Sequence, residues 1–162
     1  MIDFLFIFIA KYLIIIPPVI AGLYFIYQPL HKKKSILIFS GTTILITGLF
    51  ALIGGIIYYN PRPFIVEHFI PLISHSSNNG FPSDHVLLAS TIATLFSFYN
   101  RKVALFLWLT TALIAYSRVF VGVHHLIDVV GSMVISILSG VIASNLTKRH
   151  QKTIHSHPTH SL

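Results

Sequence analysis

His124 and Asp128 stand four residues apart in the stretch "SRVFVGVHHLID". If a helix begins by His124, the two side chains lie one turn apart on a single face. A carboxylate in that place accepts the proton of one imidazole nitrogen, fixes the tautomer and aims the other nitrogen outward. That is the base-and-orienter arrangement of nucleophilic and general-base catalysis. The plain alternative is a satisfied buried His–Asp pair with a structural role. Arg118, in the same stretch and next to Ser117, tips the balance, because a planar guanidinium suits an anionic ligand.

A second stretch, "GFPSDHVLLAS", puts Pro82, Ser83, Asp84 and His85 at the lip of an apolar run. Unpaired amides and a positive dipole end make a helix N-terminus a natural anion site, and proline is favoured in a first helical turn. Ser83 or Asp84 can serve as the cap, which is the plain reading of both. His85 then lies in the first turn beside any anion held there, where a protonated imidazole can act as general acid. Its alternative is an interfacial histidine facing water. A third stretch, "YYNPRPF", holds Arg62 between two prolines on a rigid extended segment. By itself such an arginine reads as a lipid-headgroup contact.

The elements that must position these groups are set by composition. The chain has 162 residues, of which 54% are hydrophobic and 9% charged, and its mean hydropathy is +0.80. Soluble domains are about a quarter charged, so the excess apolar content predicts an integral membrane protein. Five runs are long enough for spanning helices: Tyr12 to Tyr27, with Pro17 and Pro18 expected to kink it; Ser35 to Tyr59; Asp84 to Tyr99; Val103 to Val123; and His125 to Leu146. "MIDFLFIFIA" either extends the first run or lies in the interface, and Lys11 interrupts the pattern of a cleaved signal peptide. The predicted fold is an all-α polytopic bundle of five transmembrane helices, or six if residues 1–10 form their own.

Eight of the eleven Lys and Arg fall in three short polar segments: Lys32, Lys33 and Lys34; Arg101 and Lys102; and Lys148, Arg149 and Lys152. Alternating spans put all three segments on one side, which the positive-inside rule names cytoplasmic. The acids Asp3, Glu67, Asp84 and Asp128, and the three candidate stretches, then fall at or near the outer side. This clustering argues against a nucleic-acid partner, which needs a continuous basic surface with aromatic interleaving. There are no cysteines, so thiolate metal sites are excluded. Residues 1–147 read as one membrane-embedded domain and 148–162 as a polar, disordered cytoplasmic tail, whose four histidines lack the fixed geometry of a metal site.

Together, "PRP", "PSDH" and "SRVFVGVHHLID" resemble the three signature motifs of the type 2 phosphatidic acid phosphatase superfamily: Lys-x6-Arg-Pro, Pro-Ser-x-His and Ser-Arg-x5-His-x3-Asp. The second and third are matched in full and in order. The resemblance implies that His124 is the nucleophile and forms a phosphohistidine, that Asp128 orients it, and that His85 protonates the leaving oxygen and then activates water. It implies that Arg62, Arg118 and Ser83 hold the phosphoryl oxygens, with no metal or other cofactor. Within the superfamily the small size, "PRPF" and "PSDH" are similar to the bacitracin-resistance type of undecaprenyl pyrophosphate phosphatase. That implies a polyprenyl pyrophosphate substrate, a bacterial cell membrane and a site on its outer side. Phosphatidate or phosphatidylglycerophosphate hydrolysis is the runner-up, and a non-enzymatic pore or transporter the reading from another class. One departure stands out: the first-motif lysine is missing, Gly55 occupying its place. Lys11 is a candidate stand-in and Ser117 a possible auxiliary; snorkelling to the interface is the plain reading of Lys11.

Overall fold

The computed structural model describes residues 2–156. It is all-helical over those residues, in the order α1 (Ile2–Tyr12), a 3-10 turn (Leu13–Ile15), α2 (Ile16–Ile26), α3 (Leu30–Ile57), α4 (Pro63–Val66), α5 (Asp84–Tyr99), α6 (Arg101–Phe120) and α7 (Leu126–Ser156). Four stretches are long and apolar enough to cross a membrane: Ile2–Ile26, Leu30–Ile57, Arg101–Phe120 and Leu126–Thr147. With α5 as a fifth, shorter member, they form the predicted bundle. The first ten residues extend the first span. Pro17 and Pro18 occupy the opening turn of α2, where their missing N–H groups cost least, and the chain tightens into the 3-10 turn just before them. Helix α7 carries the backbone past Thr147 to Ser156, into the segment read as a tail; residues 157–162 of that tail lie outside the described residues.

Helix α5 forms the centre of the bundle, packed on α6 and α7, while α3 lies against α7. Its face from Val86 to Phe96 is almost continuously buried. Val86 and Ala89 meet Ile114, Ala115 and Val129, and Ile92, Ala93 and Phe96 meet Ala104 and Leu107. Against α7 the contact is made by small hydroxyl residues: Ser90 Oγ lies 2.7 Å from Ser136 Oγ, which also lies 3.0 Å from Thr91 Oγ1. Such interhelical bonds average only about 0.6 kcal/mol in a membrane. Their main effect is therefore steric: small side chains let the two backbones approach, and that approach carries the start of α5 to the start of α7.

The ends of the bundle differ in kind. At one end lie the junctions α2–α3 and α5–α6, with Lys32, Lys33, Lys34, Arg101 and Lys102 over an aromatic cluster of Tyr24, Phe39 and Tyr99. Asn100 starts α6 by accepting from the amides of Lys102 and Val103, a regular N-cap. At the other end, the segment 58–83 folds over the bundle and the turn 121–125 joins α6 to α7. Gly122 makes that turn with φ +78, and the Phe69 ring fills the space a Cβ would need. An L-residue there would be strained and would press the loop away. The result delivers Val123 and His124 beneath the folded-over segment.

Candidate active site

The site is built at that second end from four chain segments. Helix α7 begins at Leu126, two residues later than the condition under which His124 and Asp128 would share a helical face. They are paired nonetheless, by a turn: the Asp128 amide donates to the His125 carbonyl at 3.1 Å. The His125 amide in turn donates to Asp128 Oδ2 at 2.9 Å. His124 Nδ1 lies 3.4 Å from the same oxygen. Asp128 Oδ1 accepts from Asn60 Nδ2 at 2.7 Å. Asp128 is fully buried and His124 3% exposed. A buried carboxylate with three N–H donors stays ionised and rigid, and it holds the Nδ1–H tautomer of His124.

Burial pushes His124 below the ordinary imidazole value, and the Arg118 and Arg62 charges act in the same sense, against the bond to Asp128. A neutral ring with its proton on Nδ1 leaves the Nε2 lone pair free to attack. In this structure that nitrogen accepts from Arg62 Nη1 at 3.3 Å. The Arg62 guanidinium is 3% exposed and fully engaged. Nη1 also donates to the Val123 carbonyl at 2.8 Å. Nε and Nη2 donate to Asn78 Oδ1 at 3.1 and 3.0 Å, and Nη2 reaches the Asn79 carbonyl at 3.4 Å.

Arg118 and Ser83 are the opposite case. Arg118 is 2% exposed; its Nη1 reaches the Ala10 carbonyl at 3.4 Å, while its Nε has no partner among the described residues. Ser83 stands at the N-cap of α5, yet its hydroxyl makes no capping bond and is buried without a partner. Its backbone is fixed instead, the amide donating to Ser132 Oγ at 2.9 Å, and Ser132 Oγ donating to the Asp128 carbonyl at 2.7 Å. Buried donors are rarely left unpaired; among the described residues Thr47 Oγ1 and Thr94 Oγ1 share that state, but Arg118 and Ser83 lie beside the His124–Asp128 pair, the Ser83 amide 3.4 Å from the Asp128 carbonyl and the Arg118 charge acting on His124. His85 is half-buried in the first turn of α5, near enough for the charges of Arg118, His124 and His75 to act on it.

Of the residues singled out from sequence, the structure thus gathers Arg62, Ser83, His85, Arg118, His124 and Asp128. It leaves two aside. Ser117 Oγ donates to the Ile114 carbonyl of its own helix at 2.7 Å. Lys11 is exposed on α1, with no hydrogen bond to the site among the described residues. Four residues escaped the sequence reading: Asn60, His75, Asn78 and Asn79. Asn79 is the brace of the folded-over segment. It donates to the carbonyls of Gly55 and Tyr58 at 3.0 and 3.1 Å and accepts from the amides of Asn60 and Phe81 at 2.9 and 3.0 Å. The only sequence signal was the run of polar residues in "SHSSNNG", directly before "FPSDH". Gly80 in that run lies so close to Asp128 that a Cβ would stand 3.0 Å from Oδ2 and from the Asn60 carbonyl, so a side chain there would press on the carboxylate. No group of three His, Asp or Glu is disposed to hold a metal ion among the described residues.

A buried, cation-rich site capping a bundle of membrane-length helices defines a class of membrane protein that handles anionic groups at the bilayer surface. Comparison with known proteins gives that class its name. The PAP2 superfamily model matches residues 36–152, and the chain belongs to that family of phosphatases, as a multi-pass membrane protein. It is 32% identical to the undecaprenyl-diphosphatase BcrC of Bacillus subtilis over 86% of this chain and 72% of the relative. It is 30% identical to the bacitracin transport permease protein BcrC of Bacillus licheniformis over 68% of this chain and 55% of the relative. Among solved structures it is similar to Aquifex aeolicus LpxE, with TM-score 0.70 and 26% identity, over 89% of this chain and 86% of that one.

Proposed function

We propose that this lipid phosphatase hydrolyses undecaprenyl pyrophosphate to undecaprenyl phosphate and inorganic phosphate, through a phosphohistidine at His124. The observation that carries the chemistry is the oriented His124–Asp128 pair, buried beside Arg62 and Arg118. The diphosphate substrate is supported by the name of the Bacillus subtilis relative.

In the first step His124 Nε2 attacks the terminal phosphorus, forming the N–P bond as the bond from phosphorus to the bridging oxygen breaks. Asp128 stabilises the imidazolium that develops. Arg118, Arg62 and Ser83 hold the non-bridging oxygens, where charge spreads in the transition state. His85 gives its proton to the leaving undecaprenyl phosphate. In the second step His85 takes a proton from water, the hydroxide attacks phosphorus, the N–P bond breaks, and phosphate leaves with His124 restored. Arg62 must exchange its bond to Nε2 for the arriving phosphoryl oxygens, which frees the nucleophile when substrate is present.

A transport reading would require ionisable groups along a path through the bilayer. Here Arg62, His75, His85, Arg118, His124 and Asp128 gather at one end, and the interior hydroxyls of Ser90, Thr111 and Ser139 are tied to carbonyls of their own helices. The basic junctions lie at the opposite end, which under the positive-inside rule supports a site on the outer side of a bacterial cell membrane. There the reaction would return the lipid carrier to cell-wall synthesis, and its loss would raise bacitracin sensitivity. Residues 1–147 form the catalytic domain in this reading, with the remainder a cytoplasmic tail.

A competition series in detergent checks the substrate. The kcat/KM for undecaprenyl pyrophosphate should exceed that for phosphatidate by about 100-fold, since phosphate is a far better leaving group than an alkoxide and costs less transition-state stabilisation. A preference for phosphatidate would replace the substrate assignment. The pH profile checks the nucleophile. A depressed His124 loses its lone pair only at acid pH, so kcat/KM should fall as pH drops through a limb below the ordinary imidazole value of about 6.5. An acid limb, with activity falling as pH drops, centred above that value would contradict a buried neutral nucleophile.

A further inference from the structure

His75 belongs to none of the three motifs, yet its ring lies against the nucleophile, centroid to centroid 6.0 Å from His124 at 75°. It is half-buried, and its Nδ1 lies 3.4 Å from the Ser76 carbonyl. With Nδ1 donating there, Nε2 is the free nitrogen, and no hydrogen bond joins it to any described residue. The loop that carries it is not loose. Ser76 Oγ donates to Asn78 Oδ1 at 3.0 Å, and Asn78 Oδ1 is the acceptor that holds Arg62. His75 is thus built into the same network as the phosphate-binding arginine.

The charged groups acting on His75 are Arg62 at the start of α4, Arg118 on α6 and His124 in the α6–α7 turn, with His85 on α5 also within electrostatic reach. These are cationic or become so on protonation; the acids of the cluster, Asp84 and Asp128, act on Arg62, Arg118, His85 and His124. Burial and Arg62 hold His75 below the ordinary imidazole value, opposed by the Ser76 carbonyl, with Arg118 and His124 adding to the depression. An anion entering among these groups reverses the balance, because it favours the protonated ring. By linkage, a group that gains a proton when a ligand binds makes that ligand bind more tightly as pH falls.

We propose that His75 is an additional phosphate ligand of this site, a cation that the outer loop supplies when the anion arrives, in a chain whose Gly55 lacks the first-motif lysine. The proposal rests on the reading of the site as a phosphate site and deepens it. A lysine would hold its charge at all physiological pH values; a histidine makes the same contribution conditional on occupancy.

Binding of radiolabelled sulfate, which keeps its double charge across the range, tests this on the full chain in detergent. Replacing His75 with glutamine should weaken sulfate binding about tenfold at about pH 6 and flatten the dependence of affinity on pH up to about pH 8. The slope that remains belongs to His85 and His124. Replacing His75 with lysine should bind sulfate about tenfold more tightly than the glutamine variant at about pH 8. A ring needed only for packing would not be rescued by lysine. The proposal is overturned if His75→Gln keeps the wild-type affinity and slope, or if His75→Lys binds no better than His75→Gln. Arg118→Ala separates this from the reading beneath it: sulfate binding should be lost at both pH values. If it persists there, or if the wild type binds no sulfate, the phosphate-site reading fails and takes the His75 proposal with it.

Discussion

Replacing His124 with alanine should lower phosphate release from undecaprenyl pyrophosphate by on the order of 10⁴- to 10⁶-fold, the scale seen when a nucleophile is removed from a preorganised site. The loss should fall on kcat, because Arg118 and Ser83, proposed to hold the phosphoryl oxygens, remain. The neighbouring histidine offers no substitute: His125 Nε2 lies 3.1 Å from the Pro61 carbonyl, and its ring is committed to holding that segment. Steady-state phosphate assays give the loss. Rapid quenching into alkali, where a nitrogen–phosphorus bond survives, should show a phosphorylated wild-type protein and no label on the alanine variant. Phosphate release within tenfold of wild type would remove His124 from the mechanism.

Asp128→Asn should cost about 10³- to 10⁴-fold in kcat with little change in fold, and for a reason that the hydrogen bonds make explicit. Three donors converge on the Asp128 carboxylate: Asn60 Nδ2, the His125 amide and His124 Nδ1. A carboxamide has one oxygen, and it cannot accept all three. If that oxygen keeps the His125 amide, its NH₂ faces Asn60 and must turn that amide over. If it keeps Asn60, the NH₂ opposes the His125 amide and the turn opens. In the second case His124 Nδ1 can accept from the new NH₂, which moves the ring proton to Nε2 and removes the attacking lone pair. Kinetics of Asp128→Asn beside Asp128→Ala distinguish these outcomes. An asparagine worse than alanine marks the tautomer as the cause, equal losses mark the missing charge, and activity near wild type would make the carboxylate a bystander.

The sequence marked the residues that the structure gathers far better than it marked their supports. His124, Asp128, Arg118, Ser83 and His85 lie in two short stretches at helix ends, where residue type and spacing are informative, and Arg62 is marked by its flanking prolines. The spans were legible because unbroken apolar runs leave little else for the backbone to do in lipid. Boundaries were less so. The sequence allowed the His–Asp pair a shared helical face, but α7 starts after His124 and the pairing is made by backbone amides of a turn. The first ten residues gave no reason to prefer extension over an interfacial helix until Ala10 proved to be buried against Ile73, Val121 and Val123. Asn60, His75, Asn78 and Asn79 were invisible because the contacts that tie them to the site cross long stretches of chain, 16 positions for Asn78 with Arg62 and 68 for Asn60 with Asp128. Segment 67–83 has no period from which such contacts can be read; they come from the loop folding over the bundle end.

Helix α5 has 16 residues, a length of about 24 Å at 1.5 Å per residue, against a hydrocarbon layer of about 30 Å. It nevertheless carries Ser83 and His85 at one end and reaches the basic junction at the other. In the proposed reaction, that difference of several ångströms is the depth at which a lipid phosphate would meet the histidines. Turnover should therefore depend on acyl-chain length in reconstituted vesicles, rising in thinner bilayers, where the headgroup travels a shorter distance inward.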